Sequence, residues 1–270
     1  MRPNFILFCL LLFVLFAACF FVSCSTRTLE SIEGRIMFQV WEDYTQYDCN
    51  CEPSLVLSME TEKIYPCCNY TIKSEIKRSG STITVKFLGI HMPEVCLTAL
   101  GPAASKHFLD LREGIYSLIF VNGFAVNTYL LNVKPDVIEV GSMMPISHFT
   151  EPKIRIYWRY PRNSFVYLCG TMTETAWICS DFLSLLLKEI DLEEFQFPDY
   201  GEICYPRSSE GHYNDMPAKY FIYKSEADFD KAGEILKSYA KSVLSHYSGV
   251  GLSLTNWKNK FYYSWLFTSP

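Results

Sequence analysis

Cysteines are the residues of this chain best placed to do chemistry, and eight of them follow residue 24: Cys49, Cys51, Cys67, Cys68, Cys96, Cys169, Cys179 and Cys204. Thiols can hold a metal, attack a substrate or bond to one another. The pairs Cys49-x-Cys51 and Cys67-Cys68 are too tightly spaced for a zinc knuckle, whose ligands usually stand two to four residues apart, so no metal site is expected. Cys96 precedes the turn Gly101-Pro102, and Cys67 and Cys68 sit just before a strand. A bridge from one of the vicinal pair to Cys96 is expected, with Cys49 and Cys51 as further disulfide candidates. Five of the eight fall before residue 150 and three after it, so pairing within each half leaves at least two thiols free. Cys169 lies in an apolar strand and Cys179 in an apolar helix, where inert buried thiols are expected unless the two bond to each other.

Acid–base candidates are sparser. Glu174 and Asp181 lie seven apart on a helical stretch and share a face, but carboxylates near a helix start mainly favour its dipole. The histidines (His91, His107, His148, His212, His246) are scattered. No G-x-S-x-G, H-E-x-x-H or phosphate-cradling glycine loop is present, and no cofactor is implied. The most site-like stretch is Pro198–Pro217, which gathers Tyr200, Tyr205, Arg207, His212 and Tyr213 as binding-loop candidates, because tyrosine and arginine commonly anchor recognition. Asn69-Tyr70-Thr71 matches the glycosylation sequon, which matters only for a eukaryotic source.

These groups are positioned by a chain that begins with Arg2 and an uncharged apolar run from Phe5 to Val22, the pattern of an export signal. The sequence Phe21-Val22-Ser23-Cys24 resembles the lipobox of bacterial prolipoproteins, with Ser23 at the small position and Cys24 as lipid acceptor. The resemblance implies a mature chain starting at Cys24, held to a membrane by lipid and facing outside the cytoplasm. Cys19 is a competing acceptor. An uncleaved signal anchor and plain secretion remain the alternatives, and both keep residues 25–270 outside the cytoplasm. Residues 1–24 are therefore the export segment and 25–34 a polar tether.

The whole chain is 49% hydrophobic and 16% aromatic, enough to bury a sizeable core. Without Arg2, 23 basic residues stand against 29 acidic ones, a net charge of −6. A mildly acidic chain without a basic stripe argues against nucleic acid as a partner.

Residues 35–141 alternate apolar and polar side chains over seven or eight short strands, with turns at Ser79-Gly80-Ser81 and Asn122-Gly123. That grammar predicts an all-β sandwich. The strand entry Gly114-x-Tyr116-x-Leu118 resembles those of Ig-like domains, where a tyrosine hydrogen-bonds back to a loop, and the resemblance implies that fold only. Gly141–Pro152 reads as the boundary. Residues 150–270 then predict a two-layer α+β domain: strands at Phe165–Gly170 and Lys219–Lys224, helices over Thr173–Phe195 and Glu226–Tyr247, and a closing hairpin of Gly251–Thr255 with Phe261–Phe267. The near-continuous apolarity of Phe165–Cys169 requires both sheet faces to be covered, or one to serve as a partner surface.

The functional expectation is a membrane-anchored protein of the cell envelope with a binding or structural role and a protein or glycan partner. The alternative is a secreted hydrolase or small-ligand enzyme using the second domain.

Overall fold

The computed structural model describes residues 31–46, 50–144, 148–209, 211 and 214–268. In chain order the strands are β1 (Ile36–Asp43), β2 (Ser54–Tyr65), β3 (Thr71–Ser79), β4 (Thr82–His91), β5 (Gly101–Leu109), β6 (Gly114–Asn122), β7 (Ala125–Val133), β8 (Val137–Met144), β9 (Thr150–Pro152), β10 (Ile156–Trp158) and β11 (Ser164–Thr171). Helix α1 (Trp177–Glu189) follows, then β12 (Glu193–Phe195), β13 (Glu202–Ile203), β14 (Asn214–Asp215), β15 (Lys219–Ile222), α2 (Glu226–Ser242), β16 (Gly251–Asn256), β17 (Phe261–Tyr263) and α3 (Trp265–Thr268).

The chain is mostly β. Eleven strands form one sheet in the order β13-β10-β8-β7-β6-β4-β3-β5-β2-β1-β9. It curls until its halves share one core, in which Phe38 meets Phe120 at 4.6 Å and Tyr129 at 4.8 Å between ring centroids. Strict alternation drives this: β1 buries every second residue, as a strand with one face in a core must. The hairpin at Ser79 closes with Ser79 opposite Thr82 and Gly80 at φ +59°, a conformation glycine enters without strain. The second hairpin is shifted by one residue from the sequence expectation. Asn122 stays in the strand, buried, because its amide is engaged with Ile32, so Gly123 and Phe124 make the turn. The Tyr116 hydroxyl donates to the Arg112 carbonyl at 2.9 Å, tying a strand to the loop before it.

The segment that follows β8 joins both edges of the curled sheet. β9 runs parallel to β1, and β10 pairs antiparallel with β8. The backbone between them bonds to both: Lys153 N donates to Phe38 O and Val140 N donates to Arg155 O.

A second sheet runs β12-β15-β11-β16-β17, with β14 on β11. Both helices pack on one face, where Phe165, Tyr167 and Phe221 meet Phe182, Phe229 and Leu236. α2 is entered through Ser225, whose backbone N–H donates to the Asp228 carboxylate at 2.8 Å. The opposite face carries Val166 and Tyr220 and is covered by Ile203 and Tyr205, with Trp158, Phe195 and Phe197 beside them. The near-continuous apolarity of Phe165–Cys169 called for cover on both faces, and on this side Ile203 and Tyr205 of the Pro198–Pro217 stretch supply it.

Three expected elements end early, among them the second helix, which stops at Ser242 rather than Tyr247. The first helix starts at Trp177, after a short 3-10 turn at Thr173–Thr175, and stops at Ile190 rather than Phe195. Glu193–Phe195 pairs with β15 instead, since an edge strand there satisfies backbone groups that β15 exposes. The closing hairpin keeps only Phe261–Tyr263 as its second strand, and residues from Trp265 turn into helix.

Gly233 on α2 has no room for a side chain: a Cβ would run into the ring of Tyr262, whose hydroxyl donates to Asp230 at 3.0 Å. Gly233→Ala should therefore destabilise by about 1–3 kcal/mol through overpacking, despite a helix-propensity gain of about 1 kcal/mol. Thermal unfolding of the variant checks this. A melting temperature at or above that of the parent would show that the ring yields freely.

Candidate functional site

Where the sandwich-like sheet meets the helical half, the end of β1 supplies a carboxylate that lies almost out of solvent. Glu42 is 3% exposed. It accepts from Arg159 Nε at 2.8 Å and from the Tyr160 backbone N–H at 2.9 Å. Arg159 also donates to the Lys134 carbonyl at 2.7 Å, so one guanidinium ties β1 to the turn between β7 and β8. Burial pushes the Glu42 carboxyl up from its usual range, while the charge of Arg159 and the Tyr160 amide pull it down. Tyr44 extends the seam: its hydroxyl donates to the Trp257 carbonyl at 2.7 Å, and its ring lies 5.6 Å from that of Tyr160. Burial raises the phenols of Tyr44, Tyr157 and Tyr160, which therefore stay neutral.

Above this seam opens a cleft of about 750 Å³. One wall comes from the loops of the curled sheet, with Glu52, Pro53, Glu113, Pro135 and Asp136. The other comes from Trp158, Arg162, Phe195, Gln196, Phe197 and Trp257. Phe195 and Phe197 sit edge to face at 5.3 Å. The Arg162 guanidinium lies 5.9 Å over the Trp257 ring and 3.8 Å from Glu52. Glu113 and Asp136 are exposed and have no ion-pair partner among the described residues. Half-exposed rings, one exposed cation and two open carboxylates can stack on a flat group and hold charge of either sign.

The sequence-selected residues fall in different places. Tyr205 is corrected from binding residue to core residue: it is buried, its ring stands perpendicular to Tyr160 at 4.8 Å, and its hydroxyl lies 2.9 Å from Ser164 Oγ. The apolar rear face of β11 needs a cover, and an aromatic ring with a satisfied hydroxyl supplies it. Tyr200 is exposed and packs edge-on against Trp158 at 5.5 Å, while its carbonyl accepts from the Trp158 indole at 2.7 Å. Arg207 donates to the Gly201 carbonyl at 3.2 Å, holding the loop on itself. His212, Tyr213, Cys49 and Cys24 lie outside the described residues. Glu174 and Asp181 lie outside the cleft, and Asp181 accepts from the Tyr239 hydroxyl at 2.7 Å. Sequence reasoning missed Glu42, Arg159, Arg162 and Trp257, which no local pattern brings together.

Among the cysteines, Cys67 is bonded to Cys96 with Cα atoms 5.3 Å apart. Cys169 and Cys179 are bonded to each other, Cα–Cα 5.8 Å, joining β11 to α1 rather than remaining inert thiols. Cys51 is also disulfide-bonded. The free thiols among the described residues are Cys68, exposed, and Cys204, whose burial raises it well above the ordinary thiol range and keeps it protonated.

Comparison with protein-family models, curated proteins and solved structures found no match to this chain.

Proposed function

We propose that this chain is a lipoprotein of the cell envelope, anchored through Cys24, that binds an extended segment of a partner protein in the cleft between its two halves. The carrying observation is the cleft itself: at about 750 Å³ it falls in the range of ligand sites, and aromatic rings, arginine and unpaired carboxylates line it. Disulfides in both halves fit an oxidising compartment. Among the described residues no helix is long and apolar enough to cross a membrane; the proposed anchor is the lipobox-like end of the apolar run, at Cys24. The architecture proposed is an Ig-like sandwich over 35–141, supported by the Tyr116 bond to Arg112, and a two-layer α+β domain over 150–270. The alternative of a hydrolase or small-ligand enzyme draws less support, because Glu174 and Asp181 stand outside the cleft lining.

Arg162 and Glu113 are exposed, so their substitution should leave folding intact. In binding to arrays of overlapping envelope-protein peptides and of glycans, Arg162→Ala and Glu113→Gln should each weaken peptide capture, by about 5- to 30-fold where the side chain is an anchor worth about 1–2 kcal/mol. Retention of glycans but not peptides, or peptide binding unchanged in both variants, would refute the reading.

A further inference from the structure

The end of the curled sheet at which the described chain begins also exposes several large apolar side chains. Ile32 N donates to Asn122 Oδ1, and Asn122 Nδ2 donates to Ile32 O, both at 2.8 Å, so the entering chain is pinned beside the β6–β7 turn. Strand register carries this level across the sheet. Ile36 stands opposite Thr61, Tyr65 opposite Gly101, and Thr71 opposite both His91 and Ala104. β4 runs parallel to β6, so the β4–β5 loop emerges at the same end as Phe124.

At that level Phe124 is fully exposed, Leu100 is 77% and Val95 74% exposed, and Ile64, Met92 and Leu97 are open to solvent as well. This is no slack loop. The Cys67–Cys96 bond staples it, and the Asn69 amide grips it twice, donating to the Val95 carbonyl at 2.7 Å and accepting from Leu97 N at 3.2 Å. The seam with Glu42, Arg159 and the cleft lies at the opposite end of the same strands.

Holding large apolar side chains rigidly in water is costly unless something covers them. We propose that a lipid bilayer does: this end of the sheet rests on the membrane surface, with Phe124 and the Met92–Leu100 loop entering the boundary between headgroups and acyl chains. The inference rests on the anchored reading above. Only residues 25–30 separate Cys24 from Ser31, a reach of about 25 Å fully extended, so a lipidated Cys24 keeps this end close to the bilayer. Aromatic and aliphatic side chains on a surface that binds membranes typically sink about 5–10 Å into the interface. The nine residues of β6 then hold the cleft about 30 Å further out, facing the envelope space.

The test uses the full-length lipidated protein in vesicles of phosphatidylethanolamine and phosphatidylglycerol carrying brominated acyl chains. Phe124→Trp adds a reporter at the apolar end, and Ser81→Trp adds one at the exposed turn between β3 and β4, at the far end. Emission added by Phe124→Trp should shift to the blue and lose most of its intensity to bromine, whereas that added by Ser81→Trp should stay red and unquenched. Vesicle flotation with both reporters equally unquenched would overturn the docking while leaving the anchor standing. A blue shift without quenching that grows with protein concentration would also overturn it, in favour of a second copy of the chain as the cover. Failure to float, with Cys24→Ala indistinguishable from the parent, would overturn the anchored reading and this inference together.

Discussion

Arg159→Met should lower the unfolding free energy by about 3–5 kcal/mol at neutral pH, because it leaves the buried Glu42 carboxylate without its partner. The magnitude follows from exposure: Glu42 is 3% and Arg159 21% exposed at the side chain, so little water can replace the lost guanidinium. The dependence on pH is as informative as the size. Burial already raises the Glu42 carboxyl, and removing the charge of Arg159, the largest influence against it, raises it further. A carboxyl whose folded value lies above its unfolded one destabilises in full above that folded value, and the penalty is relieved as pH falls from it towards the unfolded value. The deficit of Arg159→Met relative to the parent should therefore shrink on acidification, as Glu42 takes a proton and stays buried neutral. Urea unfolding at neutral and mildly acidic pH measures both. A loss below about 1 kcal/mol, the scale of exposed pairs, or one that does not shrink with acid, would show that water reaches the seam. Glu42→Gln combined with Arg159→Met should recover part of the loss, since a neutral amide is cheaper to bury.

Cys67→Ser with Cys96→Ser should cost about 3–4 kcal/mol in the chain-entropy account, since the bond closes a loop spanning a sequence separation of 29. The native strands around it remain paired, so the effect acts chiefly through the unfolded chain. The shift in urea midpoint, at unchanged slope, reports it. The parent under mild reductant should approach the variant, because Cys96 is exposed whereas Cys169 and Cys179 are both buried. A midpoint within error of the parent would mean that the reduced chain is already held by the Asn69 contacts to Val95 and Leu97.

Local patterns were legible wherever a strand or helix reads its own environment. The alternation of Ile36, Phe38 and Val40 marked a half-buried strand, and Phe165–Cys169 marked one covered on both faces, because side chains of a strand point alternately to its two sides. The apolar face of α2 was equally plain. The extent of the first helix was not: Glu193–Phe195 carries no local signal against helix, and its pairing with β15 is a long-range choice. Tyr205 misled for a related reason. An aromatic in a polar loop suggests recognition until the sheet face it covers is known.

What the sequence by itself determined was the longer elements and their buried faces, together with the cysteines available for bonding. The physical reason is that periodicity and composition are properties of neighbours along the chain. What only the tertiary structure decided was which distant elements meet: the curling of eleven strands into one sheet, the strap of β9 and β10 across its edges, and the bond of Cys169 to Cys179. The candidate site belongs wholly to that second kind. Glu42 and Arg159 are 117 positions apart, and Trp257 is 213 from the Tyr44 hydroxyl that bonds its carbonyl. No period links such residues; they come together because two apolar cores, each formed for its own burial, leave their polar edges facing across one cleft.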